Sequence, residues 1–203
     1  GYYANLLVLS SLAGLQVEMV FYRGDQVAGG GKALFSTSRQ EKGPRGTVNT
    51  GHFVIESLKM PAVEAEIPVI EIIPDQIITR KRMVKPTVRD GLIVSDVDRD
   101  LIKAVVVERH KGTGNAGLGL IAGLGLKRGA IASSVSHDSH NVVAAGTNDQ
   151  DIYTAVSEIQ KLQGGLVVVD DGRIDGSLAL SVAGLLSDEP LQVVTAKLAE
   201  LEQ

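Results

Sequence analysis

The chain has 203 residues and a formal charge of −4, from 20 lysines and arginines against 24 aspartates and glutamates. This mild acidity argues against a strongly basic nucleic-acid-binding protein, and the absence of cysteine excludes disulfides, thiolate metal sites and cysteine nucleophiles. A chain of this length forms one large domain or two small ones. Because it contains 23 glycines, three phenylalanines, four tyrosines and no tryptophan, its core must be built mainly from aliphatic residues.

The N-terminus predicts neither export nor a membrane anchor. It lacks the order of basic, apolar and small residues that marks a signal peptide, and the chain has no apolar run long enough for a membrane span. We therefore expect a cytoplasmic protein. The chain starts at Gly1 and its first methionine is Met19, so we expect a fragment of something longer.

Residues 1–50 are predicted to form a small β segment followed by a linker. Residues 4–9 and 15–22 have the composition of short strands, and the tripeptide at residues 23–25, Arg-Gly-Asp, is predicted to be a hairpin turn. Glycine, serine, threonine and proline are frequent in residues 29–50, which favours a linker or a long loop.

Residues 51–203 are predicted to form the main domain, an α+β fold with a mixed sheet and at least two packed helices. Its predicted strands are residues 54–58, 62–67, 69–73, 76–80, 101–108, 131–135, 141–145, 166–169 and 173–180. The glycine-rich segment 112–129 has no period that decides between strand and helix. Residues 170–172, Asp-Asp-Gly, are predicted to form a tight turn.

Two helices are predicted from their start signals and periodicity. Thr147 or Asn148 can cap the first, and Asp149 and Asp151 lie in its first turn, where the helix dipole favours acids. Its apolar residues at helical spacing are Ile152, Val156, Ile159 and Leu162. The second helix opens at residues 187–190. Its apolar stripe comprises Leu191, Val194, Leu198 and Leu201.

The string Gly112-Thr-Gly114-Asn-Ala-Gly117 matches the dinucleotide-binding pattern G-x-G-x-x-G. In that motif the glycines turn a strand directly into a helix. Here residues 108–111 intervene after the strand, and the following segment is too rich in glycine to predict a helix. A tight turn is the favoured interpretation.

The sharpest candidate site is His137-Asp138-Ser139-His140, at the end of a predicted buried strand. Two imidazoles and a carboxylate can act as metal ligands, or as a base with an orienting partner. Both histidines can meet one ligand only if the backbone turns at Asp138 and Ser139. A closed structural zinc site is not expected, because cysteine and paired-histidine motifs are absent. The alternative is that these residues only hold a turn.

Residues 108–111, Glu-Arg-His-Lys, form a third group at the end of a β-branched strand. The simplest interpretation is that the chain reaches solvent there. If the group lies beside His137, then Glu108 and His110 are candidate proton carriers or orienting groups.

Long strings in the chain resemble the C-terminal domain of the adenine deaminase family. They are E-R-H-K-G-T-G-N-A-G-L-G-L at residues 108–120, G-L-G-L-K-R-G-A-I-A-S-S-V-S-H-D-S-H-N at 123–141, G-T-N-D at 146–149, I-I-P-D-Q-I-I-T-R at 72–80 and V-V-V-D-D-G-R at 167–173. The segment Ala4 to Leu9 is similar to the strand with which amidohydrolase chains re-enter a small β-sandwich after their barrel.

The resemblance implies a hydrolase that converts adenine to hypoxanthine and ammonia, with a divalent metal, Mn or Fe, held mainly by a TIM-type barrel. No barrel motif occurs in this sequence, so the resemblance implies a β-sandwich remnant and linker at residues 1–50 and the C-terminal α+β domain at 51–203. No activity is expected of this chain alone. Its implied partners are adenine, the barrel domain and further copies of the chain, with no nucleic acid and no membrane.

The resemblance also suggests roles for the candidate residues. We expect supporting or orienting roles for His137, Asp138 and His140, and no metal ligand in this chain. The expected substrate contacts are Ser133, Ser134, Asn141, Glu108 and His110. Two competing hypotheses are a structural or oligomerisation domain and a purine-binding module.

Overall fold

The computed structural model describes residues 1–36 and 43–202, in two compact units, Gly1–Glu41 and Lys42–Gln203. Each unit is considered by itself. Residues 37–42, in the middle of the predicted linker, lie outside the described part of the chain. The units divide before residue 50, the predicted boundary. Residues 43–50 belong to the second unit, where the Pro44 carbonyl accepts a hydrogen bond from the Ala183 amide.

The first unit is an antiparallel sheet of four strands in sequential order. The strands are β1 (Leu6–Leu9), β2 (Val17–Tyr22), β3 (Asp25–Gly29) and β4 (Lys32–Ala33). Strands predicted at residues 4–9 and 15–22 are confirmed as β1 and β2. The predicted hairpin turn is also present, with Arg23 and Gly24 at φ of 54° and 95°. None of the described residues of this unit is buried, so its apolar side chains are exposed or only partly buried.

The second unit is built on an eight-stranded mixed sheet in the order β14-β13-β11-β12-β9-β10-β5-β6. Its strands are β5 (Ile67–Ile72), β6 (Thr79–Val84), β9 (Leu101–Val107), β10 (Ala116–Ala122), β11 (Ala130–Ser133), β12 (Val142–Gly146), β13 (Gly165–Asp170) and β14 (Arg173–Ala179). A separate two-stranded sheet pairs β7 (Val88–Arg89) with β8 (Leu92–Ile93). Strands β5 and β10 pair in parallel, and the other described pairs of the sheet are antiparallel. The predicted α+β class is confirmed, and no TIM barrel occurs in the described residues.

Helix α1 (Asp149–Leu162) covers one face of this sheet. As predicted, Asn148 caps it, because the Asn148 side chain accepts a hydrogen bond from the Asp151 amide at 2.8 Å. The helix ends at Gln163, whose φ is 60°, before Gly164. The buried residues of the interface are Ile152, Ala155, Val156 and Ile159 on the helix and Val105, Val107, Ala130, Ala132, Val142, Ala144, Val167 and Val169 on the sheet.

Helix α2 (Leu191–Leu201) is confirmed, but its predicted apolar stripe does not enter the core. The helix begins after Pro190, and none of its residues is buried. Leu198 and Leu201 line a cavity with Ile131 and Val168, which alternate with the residues that face α1. Helix α2 therefore lies on the opposite face of the sheet. Neither helix in the described residues is long and apolar enough to cross a membrane.

Several predicted strands are wrong in type or position. Residues 54–58 contain a 3-10 helix, Ile55–Leu58, because the Ser57 hydroxyl accepts a hydrogen bond from the Val54 amide and closes a turn. Of the strands predicted at 62–67 and 69–73, only Ile67–Ile72 is a strand, β5, which runs through Pro68, and residues 62–66 are not in a strand. The strand predicted at 76–80 is displaced to β6. Hydrophobicity located these segments but did not fix their ends.

The glycine-rich segment 112–129 contains a strand, β10. Leu118 and Leu120 alternate with Gly117 and Gly119, so the leucines share one face and the glycines the other. The leucines pack toward the core. Because residues 116–122 form a strand, the helix that a dinucleotide fingerprint requires after its glycines is absent there.

A buried lysine ties the centre of the sheet to its surroundings. The side chain of Lys103 in β9 is 2% exposed, and its ammonium donates hydrogen bonds to the Leu58 carbonyl at 3.0 Å and to Asp149 at 2.6 Å. Because Asp149 opens α1, this ion pair fixes the start of the helix over the sheet. A buried ammonium needs such partners, since its desolvation is costly.

Candidate functional site

Two of the predicted clusters meet at one end of the main sheet. Strand β9 is antiparallel to its neighbours, and its last residue, Val107, lies opposite Val142 of β12 and Ala116 of β10. The loop of residues 108–115 therefore lies beside residues 134–141, which connect β11 to β12. The structure thus brings the group at 108–111 next to the histidine turn.

The connection is made by Arg109, a residue that is not among the predicted site residues. Arg109 is 2% exposed. Its Nε donates to the carbonyl of His140, and Nη1 and Nη2 donate to the carbonyl of Ala183 at 3.1 and 3.2 Å. Burial lowers the pKa of this guanidinium, which nevertheless remains charged at neutral pH. Arg109 therefore joins three chain segments through backbone carbonyls.

The sequence contains a signal for Arg109. Val105 and Val107 lie on the core face of β9, and Arg109 continues the same alternation by two residues. The end of a strand normally turns charged residues to water, which is why the pattern of residues 108–111 favours solvent exposure. Only the neighbouring carbonyls, supplied by distant segments, make burial of this cation possible.

The carbonyls that Arg109 contacts belong to residues with unusual backbone conformations. His140 has φ of 49° and Ala183 has φ of 58°, both in the left-handed region that favours glycine. Gly184 follows with φ of 71°, and a Cβ there would lie 2.3 Å from Arg109 Nη1. The guanidinium thus packs against a turn that requires glycine at that position and holds two non-glycine residues in conformations that cost energy.

Glu108 fixes the loop after β9. Its carboxylate accepts hydrogen bonds from the amides of His110, Lys111 and Thr113 and from the Thr113 hydroxyl. Desolvation raises the pKa of the carboxyl, but these hydrogen bonds outweigh it and lower the pKa from 4.5 to about 2. A carboxylate with so low a pKa is suited to orienting the loop and is a poor proton carrier at neutral pH.

The glycines of the apparent dinucleotide motif serve this loop. Gly112 and Gly114 have φ of 64° and 73°. Residues 49–52 pack closely against them, since a Cβ on Gly112 would lie 2.6 Å from Asn49 Nδ2 and one on Gly114 would lie 3.0 Å from the His52 carbonyl. The glycines therefore permit the bends of this loop between β9 and β10 and allow close backbone approach.

The histidine turn projects into solvent from this braced base. The His140 amide donates to the Ser136 carbonyl at 2.8 Å, and His110 Nε2 lies 3.0 Å from the Ser139 carbonyl. The side chains of His137 and Asp138 are 94% and 90% exposed, and His137 Nδ1 lies 3.2 Å from Asp138 Oδ1. The backbone turn required for both histidines to serve one ligand is thus present.

The remaining predicted residues differ in what their side chains can reach. Ser134 is fully buried, and its hydroxyl donates to the Gly184 carbonyl at 2.6 Å and accepts from the Gly165 amide at 2.8 Å. The Ser133 hydroxyl accepts from the Val135 amide at 3.0 Å. Asn141 Oδ1 is buried and has no hydrogen-bond partner among the described residues. The Ser134 hydroxyl therefore links two backbone segments, whereas Asn141 Oδ1 is an acceptor that no described residue uses.

A metal ion finds no donor set in this part of the protein. Within residues 1–36 and 43–202, no group of three or more histidine, aspartate or glutamate side chains is placed to hold one. His137 and Asp138 contribute one imidazole and one carboxylate, which are fewer donors than a catalytic zinc-type site uses. The residues present do not fit the metal centre that the sequence resemblance implies for the hydrolase.

Comparison with known families agrees with the sequence resemblance. The family model described as the adenine deaminase C-terminal domain matches residues 76–203. The chain belongs to the adenine deaminase C-terminal domain family. This match contains all the strands and loops of the site described above except the segment at residues 49–52.

Curated relatives extend the similarity to the whole chain. It is 48% identical to an adenine deaminase of Dehalococcoides mccartyi over 99% of its length and 35% of that protein. It is 44% identical to adenine deaminase 2 of Carboxydothermus hydrogenoformans, covering 100% of the chain and 36% of the relative. An adenine deaminase of Halalkalibacterium halodurans is 37% identical, with 100% and 35% covered. The chain thus spans about a third of the length of these relatives.

The low pKa of Glu108 predicts how the loop responds to acid. Because the native pKa lies below the ordinary value of 4.5, the carboxylate stabilises the folded loop above about pH 4.5, and this stabilisation is lost as the pH falls through about 2. In NMR spectra, the amide signals of His110, Lys111 and Thr113 should therefore not titrate between about pH 6 and about pH 3.5. Glu108→Gln should shift all three signals already at neutral pH. If these amide signals titrated with a midpoint near pH 4.5, the carboxylate of Glu108 would not have the lowered pKa.

Removal of Arg109 should destabilise the second unit. Arg109→Met leaves the carbonyls of His140 and Ala183 without their donor, so the free energy of unfolding should fall by about 2 kcal/mol, and amide exchange should accelerate at the 137–140 turn. The matched control is Arg128→Met, because Arg128 is 80% exposed in an ion pair with Asp170 and should contribute less than about 0.5 kcal/mol. Urea unfolding measures both variants. If both variants lost the same free energy of unfolding, Arg109 would contribute no more to stability than a surface cation.

Proposed function

We propose that this chain is the C-terminal part of an adenine deaminase, an enzyme that converts adenine and water to hypoxanthine and ammonia. The observation that carries the proposal is the similarity to curated adenine deaminases, at up to 48% identity over nearly the whole chain. The similarity includes the loops at residues 108–115 and 134–141, which lie within the matched family domain. Loops of this kind carry function more often than core strands do.

The hydrolytic centre is assigned to the part of the relatives that lies outside this chain. Its metal, Mn or Fe, is expected to be held there, because the described residues contain no suitable donor set. The chain by itself is accordingly expected to be inactive. Residues of this chain are left with binding and orienting roles, and no chemical step is assigned to them.

The 137–140 turn is proposed to face the substrate-bearing part of the intact enzyme. Its support is the contrast between a rigid base and an exposed tip: Arg109 and His110 hold the backbone, while the side chains of His137 and Asp138 are almost fully exposed. A turn whose backbone is already fixed presents its side chains to a bound molecule at a smaller entropic cost than a mobile loop does. In this proposal His137 and His140 contact substrate or the groups that hold it.

The other predicted residues then divide by role. Glu108 and Ser134 are positioning residues, because their polar atoms are occupied by hydrogen bonds within the domain. His110 positions the turn through the Ser139 carbonyl. Ser133 and Asn141 border the turn, and the unused Oδ1 of Asn141 is the acceptor that a substrate or a neighbouring segment could satisfy.

A structural or oligomerisation role is the second candidate, and one observation favours it. On the sheet face opposite α1, Ile70, Val106 and Ile131 are 55%, 41% and 37% exposed, and α2 packs on β14 at one edge of the sheet. Exposed apolar surface of this kind marks contact with another chain or domain. In this alternative the histidine turn only terminates strands.

Ammonia release tests the proposed activity. A full-length protein that contains this segment, supplied with Mn²⁺ or Fe²⁺, should release ammonia and hypoxanthine from adenine, and the 203-residue chain under the same conditions should not. The matched control is the full-length protein treated with a chelator. Failure of the full-length protein would overturn the proposed function, and turnover by the short chain would overturn the assignment of the hydrolytic centre.

Substitutions in the turn separate the two candidate functions. In the full-length protein, His137→Ala and His140→Ala should each lower kcat/KM for adenine by about tenfold, with an unchanged melting temperature because both side chains are exposed. The control is His52→Ala, an exposed histidine outside the turn. Altered melting or assembly with unchanged kcat/KM would instead favour the structural role.

A further inference from the structure

A cavity lined in part by charged residues lies at the other end of the main sheet. It has a volume of about 340 Å³ and is formed where β5 and β10 end and where β6 and β9 begin. Strand β9 runs from this cavity to the loop that carries Arg109, a distance of about 20 Å for its seven residues. The cavity is therefore separate from the histidine turn, and its volume is within the range of small-molecule sites.

Guanidinium groups from two segments, a strand and a turn, line the cavity. Arg80 and Arg82 are two residues apart in β6 and so project from the same face, and Arg99 comes from the turn before β9. Lys81, between the first two, projects from the opposite face, where it lies across from Ile70 of β5. The three arginines belong to segments that meet only in the folded sheet.

Two acidic residues line the cavity and only partly offset these three cations. The carboxylate of Glu71 forms ion pairs with two of the arginines. Its Oε1 lies 2.9 Å from Arg82 Nη1, and its Oε2 lies 3.4 Å from Arg80 Nη1. Asp100 is turned to the backbone, where it accepts hydrogen bonds from the amides of Gly123 and Gly125 at 2.8 and 2.9 Å. The lining thus has three positive charges against two negative ones, a net charge of +1, and Asp96 lies outside the lining, 3.8 Å from Arg99.

The guanidinium groups are held in place by neighbours and keep donors to spare. Arg99 donates to the Lys85 carbonyl at 3.0 Å and to the Thr87 hydroxyl at 3.2 Å, and lies 3.8 Å from Asp96. Arg82 Nε is buried and has no hydrogen-bond partner among the described residues. Each arginine has five N–H donors in a fixed fork, and these contacts with neighbouring residues use only part of them.

We propose that this cavity binds a small oxyanion with two negative charges, of the phosphate class, through Arg80, Arg82 and Arg99. Arginine forks match the oxygen geometry of phosphate, and side chains already held by neighbours lose little entropy on binding. Protection of the sheet edge explains basic residues on the outer strand β6, but it does not explain Arg99, which comes from another segment and lines the same cavity.

Calorimetric titration of the 203-residue chain tests the proposal, with inorganic phosphate and a nucleoside monophosphate as probes and an uncharged nucleoside as the control ligand. Phosphate should bind saturably with a Kd below about 1 mM at low salt, and binding should weaken as salt is added. Similar affinity for both anions identifies free phosphate as sufficient. Tighter binding of the nucleotide identifies a phosphate group on a larger ligand. Absence of saturable binding of either anion up to about 10 mM would overturn the proposal.

Variants locate the binding. Arg82→Met and Arg99→Met should each weaken phosphate binding by about tenfold, whereas Lys81→Met, which removes a cation from the opposite face of the same strand, should change it less than about twofold. Arg80 is 68% exposed, so Arg80→Met provides a further test if Arg82→Met does not fold. Equal weakening by Lys81→Met and the arginine variants would show that only general surface charge attracts the anion.

Discussion

At the end of β9, the guanidinium of Arg109 is withdrawn from water and meets the carbonyls of His140 and Ala183. Burial of a charge is costly, so these carbonyls must remain where the cation reaches them. Both residues have positive φ, and the contacts that satisfy the cation therefore also hold two backbone conformations that are unfavourable alone. The loop after β9, the histidine turn and the turn after β14 consequently form one rigid base.

A second buried cation, Lys103, lies within β9 itself. Lys103 lies on the core face of β9, and Arg109 continues the same alternation just beyond the end of the strand. Between them, Val105 and Val107 pack against α1. Lys103 fixes the helix start through Asp149, and Arg109 fixes the loops at the strand's end. The polar contacts of Lys103 and Arg109 determine which segments pack at each end of β9. The apolar residues between them provide most of the buried surface against α1. The histidine turn lies at the end of β9, and the arginine-lined cavity lies at its beginning. The two candidate sites are therefore at opposite ends of this strand.

Local patterns predict the elements whose residues interact with near neighbours in sequence. The cap at Asn148, the helical repeat of α1 and the turn at residues 170–172 all depend on residues a few positions apart, and all are confirmed. The apolar composition of residues 54–58 predicts a strand, whereas a hydrogen bond from the Val54 amide to Ser57 closes a helical turn there. The apolar stripe of α2 lies on a confirmed helix, but its burial depends on what covers that face of the sheet.

The sequence by itself determined the family, the α+β class and the presence of two polar clusters, because long strings and short-range periodicity survive without coordinates. Only the tertiary structure decided that residues 108–111 and 137–140 are neighbours, since strand order is set by packing between distant segments. It also decided that Glu108 and Ser134 are occupied by internal hydrogen bonds, and that Arg99 lines the same cavity as Arg80 and Arg82. Burial and charge compensation are properties of the assembled sheet, and no local pattern contains them.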